Sequence, residues 1–372
     1  MSVNIKGKIK RNVSLPAKIV FVIFIAALAA HIISAVSEPF ADFFNRNISS
    51  LLRGFLAKLT NWLPFSLGEA LVISLPVIII SVFALCMKLI GKDEVSGNRT
   101  VVNLFAVVLL MYSIFAISFG VAYNTSTLDK KLGLDRKEVT AQEIYYTATV
   151  VQNEIEKDID DVRFTAGGSS VMPYSINELS RKINEAYKKV YDKYTFISPL
   201  NSNIKCIALS DLLTYTHISG LYTYYTGEAN LNLNFPDYVL PYTVAHELAH
   251  QRGIAREEEA NFVAFLVCME SDDPYIRYSA YQNVYEYLLG AMSEADSDLY
   301  DKLIVGLNTK MRGEMVAYNR FFEKYRNSTA SKVSGAVNDM YLKSQGEKHG
   351  AKSYNLVVDL AVAYYAQYED IY

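Results

Sequence analysis

The first third of the chain is dominated by three long apolar runs. They cover residues 19–36, 70–87 and 101–122, and none of them contains Asp, Glu, Lys or Arg. An α-helix needs about 20 predominantly apolar residues to cross the hydrocarbon core of a bilayer. The pattern therefore predicts three transmembrane helices in a membrane domain of residues 1–124.

The first apolar run has a second interpretation. A basic stretch precedes it and Ala35-Val36-Ser37 ends it, as in a cleaved signal peptide. Its apolar part is longer than the ~7–15 residues of a signal peptide's central region, which favours a retained anchor. Whether the segment is cleaved stays open at this point.

The stretch between the first two runs has a different pattern. Apolar residues recur at helical spacing over residues 40–63, and Arg46, Arg53 and Lys58 stand at polar positions. This pattern is typical of an amphipathic helix that lies in the membrane interface. The alternative is a compact buried hairpin.

Beyond residue 124 the chain alternates between polar and apolar positions with mainly helical periods. Helices are predicted over 141–159, 176–191, 274–292, 297–325 and 354–368. Residues 228–235 alternate strictly instead, which predicts a half-buried strand. We therefore expect residues 125–372 to form a mainly helical α+β domain with one small sheet beside the helix that follows the strand.

The predicted strand allows two interpretations. It could bind an extended substrate by pairing along its edge, which supplies main-chain hydrogen bonds independent of substrate sequence. It could equally be part of a structural hairpin with residues 220–225.

Charge sets the expected orientation. A cluster of basic residues precedes the first run, which places the amino terminus in the cytoplasm and residues 125–372 outside it; the cluster comprises Lys6, Lys8, Lys10, Arg11 and Lys18. The net charge of −3 excludes the basic footprint of a nucleic-acid-binding protein. The prediction is a multi-pass plasma-membrane protein with an extracytoplasmic domain.

The candidate chemistry lies in His246-Glu247-Leu248-Ala249-His250. Histidines four residues apart share one face of a helix, so both imidazoles can bind the same zinc ion. Glu247 stands beside the metal, where a general base can take a proton from the water that zinc activates. Gly253 is placed to end the helix. The alternative, a chance match on an ordinary helix, has odds of about one in a few hundred.

A catalytic zinc needs a third protein ligand and an open position. Glu257, Glu258 and Glu259 follow the motif, but neighbours on a helix diverge by about 100°, so only one can face the ion. Geometry leaves Glu257 and Glu258 open. The stretch resembles the Glu-x-x-x-Asn/Asp element of gluzincin-type peptidases, including CaaX-protease, HtpX-like and ImmA/IrrE-like enzymes. That resemblance implies Glu257 as the ligand and Asn261 as the residue that orients a ligand, with Glu258 and Glu259 as solvated or helix-terminal charges.

The resemblance extends along the chain. Residues 219–222, 227–230, 241–253 and 64–69 are similar to a bacterial family of predicted membrane zinc peptidases catalogued as domain of unknown function 3810. This similarity implies a zincin-like metallopeptidase domain after three membrane helices, with Zn²⁺ as cofactor and a peptide or protein as substrate. It implies no particular substrate.

The leading functional hypothesis is a membrane-anchored zinc peptidase in which His246, His250 and Glu257 bind zinc and Glu247 is the general base. The rival is a non-catalytic receptor or assembly factor with a structural zinc. A transporter is weaker, because the apolar runs lack paired charges.

Other polar residues are less informative at this stage. His217, Tyr222, Tyr224 and Tyr225 are candidates for stabilising an oxyanion, and none is preferred. His349 is expected in an exposed loop. The substrate, endo- or exopeptidase action and oligomeric state stay open.

Overall fold

The computed structural model describes residues 13–326, 328–346 and 356–368. It contains three helices that are long and apolar enough to span a membrane: Leu15–Val36, Leu67–Ile90 and Glu94–Ser118. They confirm the three predicted apolar helices. The third helix ends four residues earlier than predicted, where a tight 3₁₀ turn, Gly120–Asn124, follows. Four of the five basic residues on which the orientation rests, all but Lys18, lie outside the described part of the chain.

A helical segment connects the first two long helices. Glu38–Phe44 and Ser50–Thr60 are joined by a wider π turn, Asn45–Ser49, and we call the three together the amphipathic segment. One side of it is apolar and exposed, through Phe43, Ile48, Leu51, Phe55 and Leu59. The helical, amphipathic character is as predicted.

Arg53 departs from the prediction for this segment. It was expected on the polar face with Arg46, but only 1% of it is exposed, and its guanidinium packs into the protein. The apolar face thus points away from the molecule, and the opposite face is held to the protein by a buried cation.

The remaining chain is mainly helical, as predicted. Its helices are Leu128–Leu132, Ala141–Asp158, Ile176–Lys193, Ser210–Thr214, Val239–Gln251, Glu257–Met269, Pro274–Ala295, Ser297–Gly306, Thr309–Phe322, Thr329–Ser344 and Val357–Tyr368.

The helical predictions need three corrections. The helix predicted over 297–325 is broken, because Leu307 is extended and the Asn308 side chain caps a new helix. Thr329–Ser344 was not predicted, and neither were the short helices Leu128–Leu132 and Ser210–Thr214. The last helix begins at Val357, and residues 354 and 355 of its predicted start lie outside the described residues.

The sheet has three strands in the order β1-β3-β2: β1 is Lys205–Cys206, β2 is Gly220–Thr223 and β3 is Glu228–Leu231. Strand β3 pairs in parallel with β1 and antiparallel with β2. The strand predicted over 228–235 is therefore shorter, central and fully buried rather than half-buried. The interpretation in which it pairs with a substrate along its edge is wrong, because both of its edges carry strands. The hairpin with β2 is confirmed.

The helix Val239–Gln251 lies at the centre of the core, and all 13 of its residues are buried. Glu257–Met269 and Pro274–Ala295 pack against it, and Ala141–Asp158 packs against the latter. Fully burying a Val, Leu or Phe side chain contributes about 1.5–3 kcal/mol, so this apolar surround holds the central helix firmly in position.

Hydrogen bonds fasten the second long helix to the sheet. The Glu228 carboxylate of β3 accepts from the backbone N–H of Leu67 at 3.0 Å and of Gly68 at 2.8 Å. The Glu69 carboxylate in turn accepts from the backbone of Ala208 and Leu209, both at 2.8 Å. The long helix therefore begins directly against the sheet. A domain boundary at residues 124 and 125 stays a prediction.

Candidate metal centre

The two histidines of the motif face the same way from the central helix Val239–Gln251, which we call the metal helix. The ring centroids of His246 and His250 are 4.6 Å apart, and the rings are nearly perpendicular at 89°. The helix begins at Val239, two residues before the expected Pro241, and ends at Gln251. Gly253 follows the C-cap residue Arg252, as expected for a glycine that terminates the helix, and its φ of +94° favours glycine.

Glu257 completes a compact cluster. Its Oε2 is 3.2 Å from His246 Nε2 and 3.4 Å from His250 Nε2. The three ligand atoms all lie within 4.8 Å of one another, which is a spacing that could hold a metal ion. Two imidazole nitrogens and one carboxylate oxygen are donors that suit zinc. Glu258 is not part of this cluster.

The neighbouring glutamates were expected to be solvated or helix-terminal charges; both stand in the first turn of their helix, and neither is solvated. Glu258 is 5% exposed and Glu259 is 2% exposed. The Glu259 carboxylate accepts from Leu128 N–H at 2.9 Å and pairs with Arg256 at 2.8 Å. Glu259 therefore ties the start of its helix to the chain that follows the third long helix.

A polar contact orients one of the two histidines, and an amide side chain lies near the other. His250 Nδ1 lies 2.7 Å from the Ile254 carbonyl oxygen, so the ring turns its Nε2 toward the cluster. Asn261, one turn after Glu257, lies near the His246 side chain and Tyr287, and neither His246 Nδ1 nor Asn261 Nδ2 has a hydrogen-bond partner among the described residues. The structure thus brings Asn261 next to one of the candidate ligands.

Glu247 lies beside the cluster with one oxygen uncommitted. Its Oε2 is buried and has no hydrogen-bond partner among the described residues. A Cβ on Gly220 would lie 2.7 Å from both Cγ and Oε1 of Glu247. Only glycine at the start of β2 leaves room for this carboxylate. Sequence reasoning missed this role, although a glycine within a strand often marks a close approach.

Burial and mutual charge govern the titration of the cluster. Burial raises the pKa of Glu247 to about 8, against the opposing charge of His250. Burial lowers the pKa of His250, but the charge and hydrogen bond of Glu257 outweigh it and raise that pKa to about 9. Burial alone would raise the pKa of Glu257, yet the two histidines hold it well below its usual range. Positive charge on the histidines thus stabilises the ionised form of Glu257, and a divalent cation in the cluster would add to this effect.

A cleft of about 670 Å³ opens onto the cluster. His246, Glu247, His250 and Glu257 all line it. Much of the remaining wall comes from the turn after the third long helix, the residues around β2, the helix Pro274–Ala295 and the helix Thr329–Ser344. Its volume is in the range of pockets that bind small ligands.

The residues expected to stabilise an oxyanion are only partly at the cleft. His217, Tyr222 and Tyr224 line it, whereas Tyr225 does not. His349 lies outside the described residues. Tyr287, which the sequence did not single out, also lines the cleft, and burial raises its pKa to about 12. Its hydroxyl is thus a proton donor at neutral pH, and no local pattern in the sequence indicates it.

Comparison with known proteins supplies a family. The profile of the family described as "Protein of unknown function (DUF3810)" matches residues 44–362, which is well over half of the chain. The chain belongs to the DUF3810 family. Membership confirms the family resemblance drawn from residues 64–69 and 219–253, and it brings no activity, because DUF3810 has no known function. No curated protein and no solved structure matches the chain.

Proposed function

We propose that this DUF3810 chain is a membrane-anchored, zinc-dependent peptidase. His246, His250 and Glu257 would bind Zn²⁺, and Glu247 would act as the general base. The observation that carries the proposal is a buried two-histidine, one-carboxylate cluster in the same cleft as a carboxylate oxygen with no partner among the described residues.

The donor set fits zinc in three respects. Its atoms are nitrogen and oxygen, and their number leaves a fourth position for water or substrate, as catalytic zinc requires. His250 Nδ1 contacts a carbonyl oxygen on the side away from the cluster, and Asn261 lies near the His246 side chain. Such outer contacts fix ring orientation in zinc sites.

The chemistry divides between the ion and the chain. When bound, zinc lowers the pKa of a water molecule and polarises the scissile carbonyl. Glu247 would accept the water proton at Oε2 and deliver it to the leaving nitrogen. Tyr287 offers a hydroxyl that can donate to the carbonyl oxygen as negative charge develops on it.

The sheet supports the binding of an extended peptide. Strand β2 pairs with β3 along one edge, and the described sheet has no strand on its other edge. Residues 219–222 also line the cleft. A peptide paired along β2 would gain main-chain hydrogen bonds and pass beside Glu247.

We further propose that the cleft faces outside the cytoplasm of a bacterial cell. The support is the basic amino terminus, followed by three helices long enough to cross the membrane. Protease added to intact cells should then digest the region after Thr125. Full protection until lysis would contradict this orientation.

The rival hypothesis is a structural zinc site in a non-catalytic protein. It predicts that hydrogen bonds within the protein occupy the Glu247 carboxylate and that no groove reaches the zinc ion. Glu247 Oε2 has no partner in the described part of the chain, and the cleft reaches the cluster. These two observations favour the peptidase.

The test compares zinc-loaded wild type with Glu247→Gln on a mixed peptide library in detergent. We expect the variant to keep its zinc and to lose turnover by about 10²–10⁴-fold, the usual contribution of a general base. Glu185→Gln, at an exposed carboxylate of a surface ion pair, is the control and should behave as wild type. Equal turnover in Glu247→Gln and wild type would contradict the proposal.

A further inference from the structure

We infer that the substrate is a polypeptide anchored in the same bilayer. It would be cut within about ten residues of its own membrane span, where an extended chain covers about 3.3 Å per residue. This inference rests on the proposed peptidase function and deepens it. It follows from the distance between the cluster and the membrane-spanning part of the molecule.

The end of the third long helix forms part of the cleft. The helix ends at Ser118, and the next residue, Phe119, lines the cleft together with Tyr123. The ring centroids of Phe119 and His250 are 5.8 Å apart, edge to face. One side-chain contact therefore separates a metal-ligand candidate from the end of a membrane helix.

Buried Arg53 fixes this arrangement. Its Nη1 donates to the Ser118 carbonyl oxygen at 2.7 Å, and its Nη2 donates to the Arg252 carbonyl oxygen at 3.5 Å. Asn45 Nδ2 donates to the Gly253 carbonyl oxygen at 3.0 Å. The carboxyl end of the metal helix thus rests on both the third long helix and the amphipathic segment.

The amphipathic segment indicates where the membrane surface lies. Its exposed apolar side chains face away from the metal helix, and Trp62, just after it, is 76% exposed. Such a face inserts at the boundary between headgroups and acyl chains. A helix with its side chains is about 10–12 Å across, so the metal helix lies roughly one helix diameter above that boundary.

An aromatic wall continues from the third long helix into the cleft. Tyr224 packs on Phe115, within that helix, at 5.2 Å between ring centroids, and stacks on Phe119 at 5.8 Å. Leu221 of β2 adds an apolar side chain that is 40% exposed and lines the cleft. This entrance suits the apolar and aromatic residues that flank a membrane span.

The distance from the bilayer to the cluster favours a tethered substrate over a free one. The polar layer on each side of a bilayer is about 5–8 Å deep, and an extended chain covers about 3.3 Å per residue. A chain that leaves the bilayer beside the third long helix would therefore pass the cluster after a few residues. A tethered substrate also reaches the cleft at a high effective concentration.

The experiment uses the full zinc-loaded chain in liposomes with three randomised peptide libraries. In the first, a random 12-residue segment directly follows a transmembrane helix. In the second, a Gly/Ser spacer of 40 residues separates the two, which moves the segment by roughly 35 Å on average. The third library is the free segment at the same total concentration. Glu247→Gln liposomes give the background, and mass spectrometry maps the cuts.

We expect the first library to be cut at least tenfold faster than the second and third, with cuts near the span. Equal rates on the first and second libraries, or on the first and third, would overturn the inference and leave the peptidase proposal intact. No cutting above the Glu247→Gln background in any library would instead contradict the peptidase function, and the inference with it.

Discussion

The metal helix and the second long helix show opposite patterns of burial. Val239–Gln251 buries every residue, including two histidines and a glutamate, whereas Leu67–Ile90 buries only Gly68. Burying polar groups costs free energy unless they gain partners, and exposing apolar surface on this scale to water is equally unfavourable. The burial of the metal helix therefore indicates a polar site inside the protein, and the exposure of the second long helix indicates an apolar environment around it.

The two patterns meet at the amphipathic segment. There, Arg53 is buried as completely as the metal helix, while Phe55 two residues later is 63% exposed. The segment thus joins a polar interior to an apolar exterior within one helical turn. Each prediction below alters one side of this comparison.

The largest effect is expected at Arg53, which holds the amphipathic segment to the rest of the protein. Arg53→Met removes the donors to Asn45 Oδ1 and the Ser118 carbonyl, and each buried acceptor left without a donor costs about 1–3 kcal/mol. We expect the free energy of unfolding in nanodiscs to fall by about 3 kcal/mol. Arg46→Met, in the same segment but exposed, should change it by less than about 0.5 kcal/mol. Equal effects of the two variants would show that the segment is not held by its buried cation.

The next effect concerns the room left for Glu247. In Gly220→Ala the new Cβ would meet the Glu247 side chain and Thr243 Cγ2, each at 2.7 Å, so the carboxylate must move. A misplacement of about 1 Å can cost 10²-fold in rate, and we expect a loss of that order with zinc retained. Gly290→Ala, where a Cβ meets nothing within 4 Å, is the control. Unchanged peptide turnover in Gly220→Ala would show that the position of the Glu247 carboxylate does not matter for peptide hydrolysis.

A smaller effect is expected from one hydroxyl in the cleft. Tyr287→Phe keeps the ring and removes a donor beside Asn261, so kcat should fall by about tenfold with KM little changed if that donor acts on the developing charge. Tyr225→Phe, outside the cleft lining, should have no effect. An equal loss in both variants would point to packing instead.

Sequence reasoning identified the parts of the molecule that depend on local pattern. The apolar runs, the spacing of His246 and His250 and the glycine after the metal helix are local, and the structure has each of them where expected. Sequence reasoning failed where contacts with distant parts of the chain decide whether a side chain is buried. Arg53 has the charge of a surface residue, and its burial depends on acceptors that include the distant carbonyls of residues 118 and 252.

The sheet and the helix ends show the same limit. The alternation over 228–235 indicates a strand, but which edges are paired depends on β1 and β2, which come from elsewhere in the chain. Glu259 resembles a solvated charge until Leu128 and Arg256 are seen to bind it. Tyr287 reaches the cleft from a helix that no motif marks.

The zinc content of purified variants tests the central claim most directly. Wild type should carry about one zinc per chain, and His246→Ala and His250→Ala should carry almost none. Glu257→Gln should bind zinc more weakly than Glu258→Gln, because only Glu257 lies within 4.8 Å reach of both histidines. Native elution on gel filtration serves as the folding control for each variant. Equal zinc content in wild type, His246→Ala and His250→Ala would contradict the account.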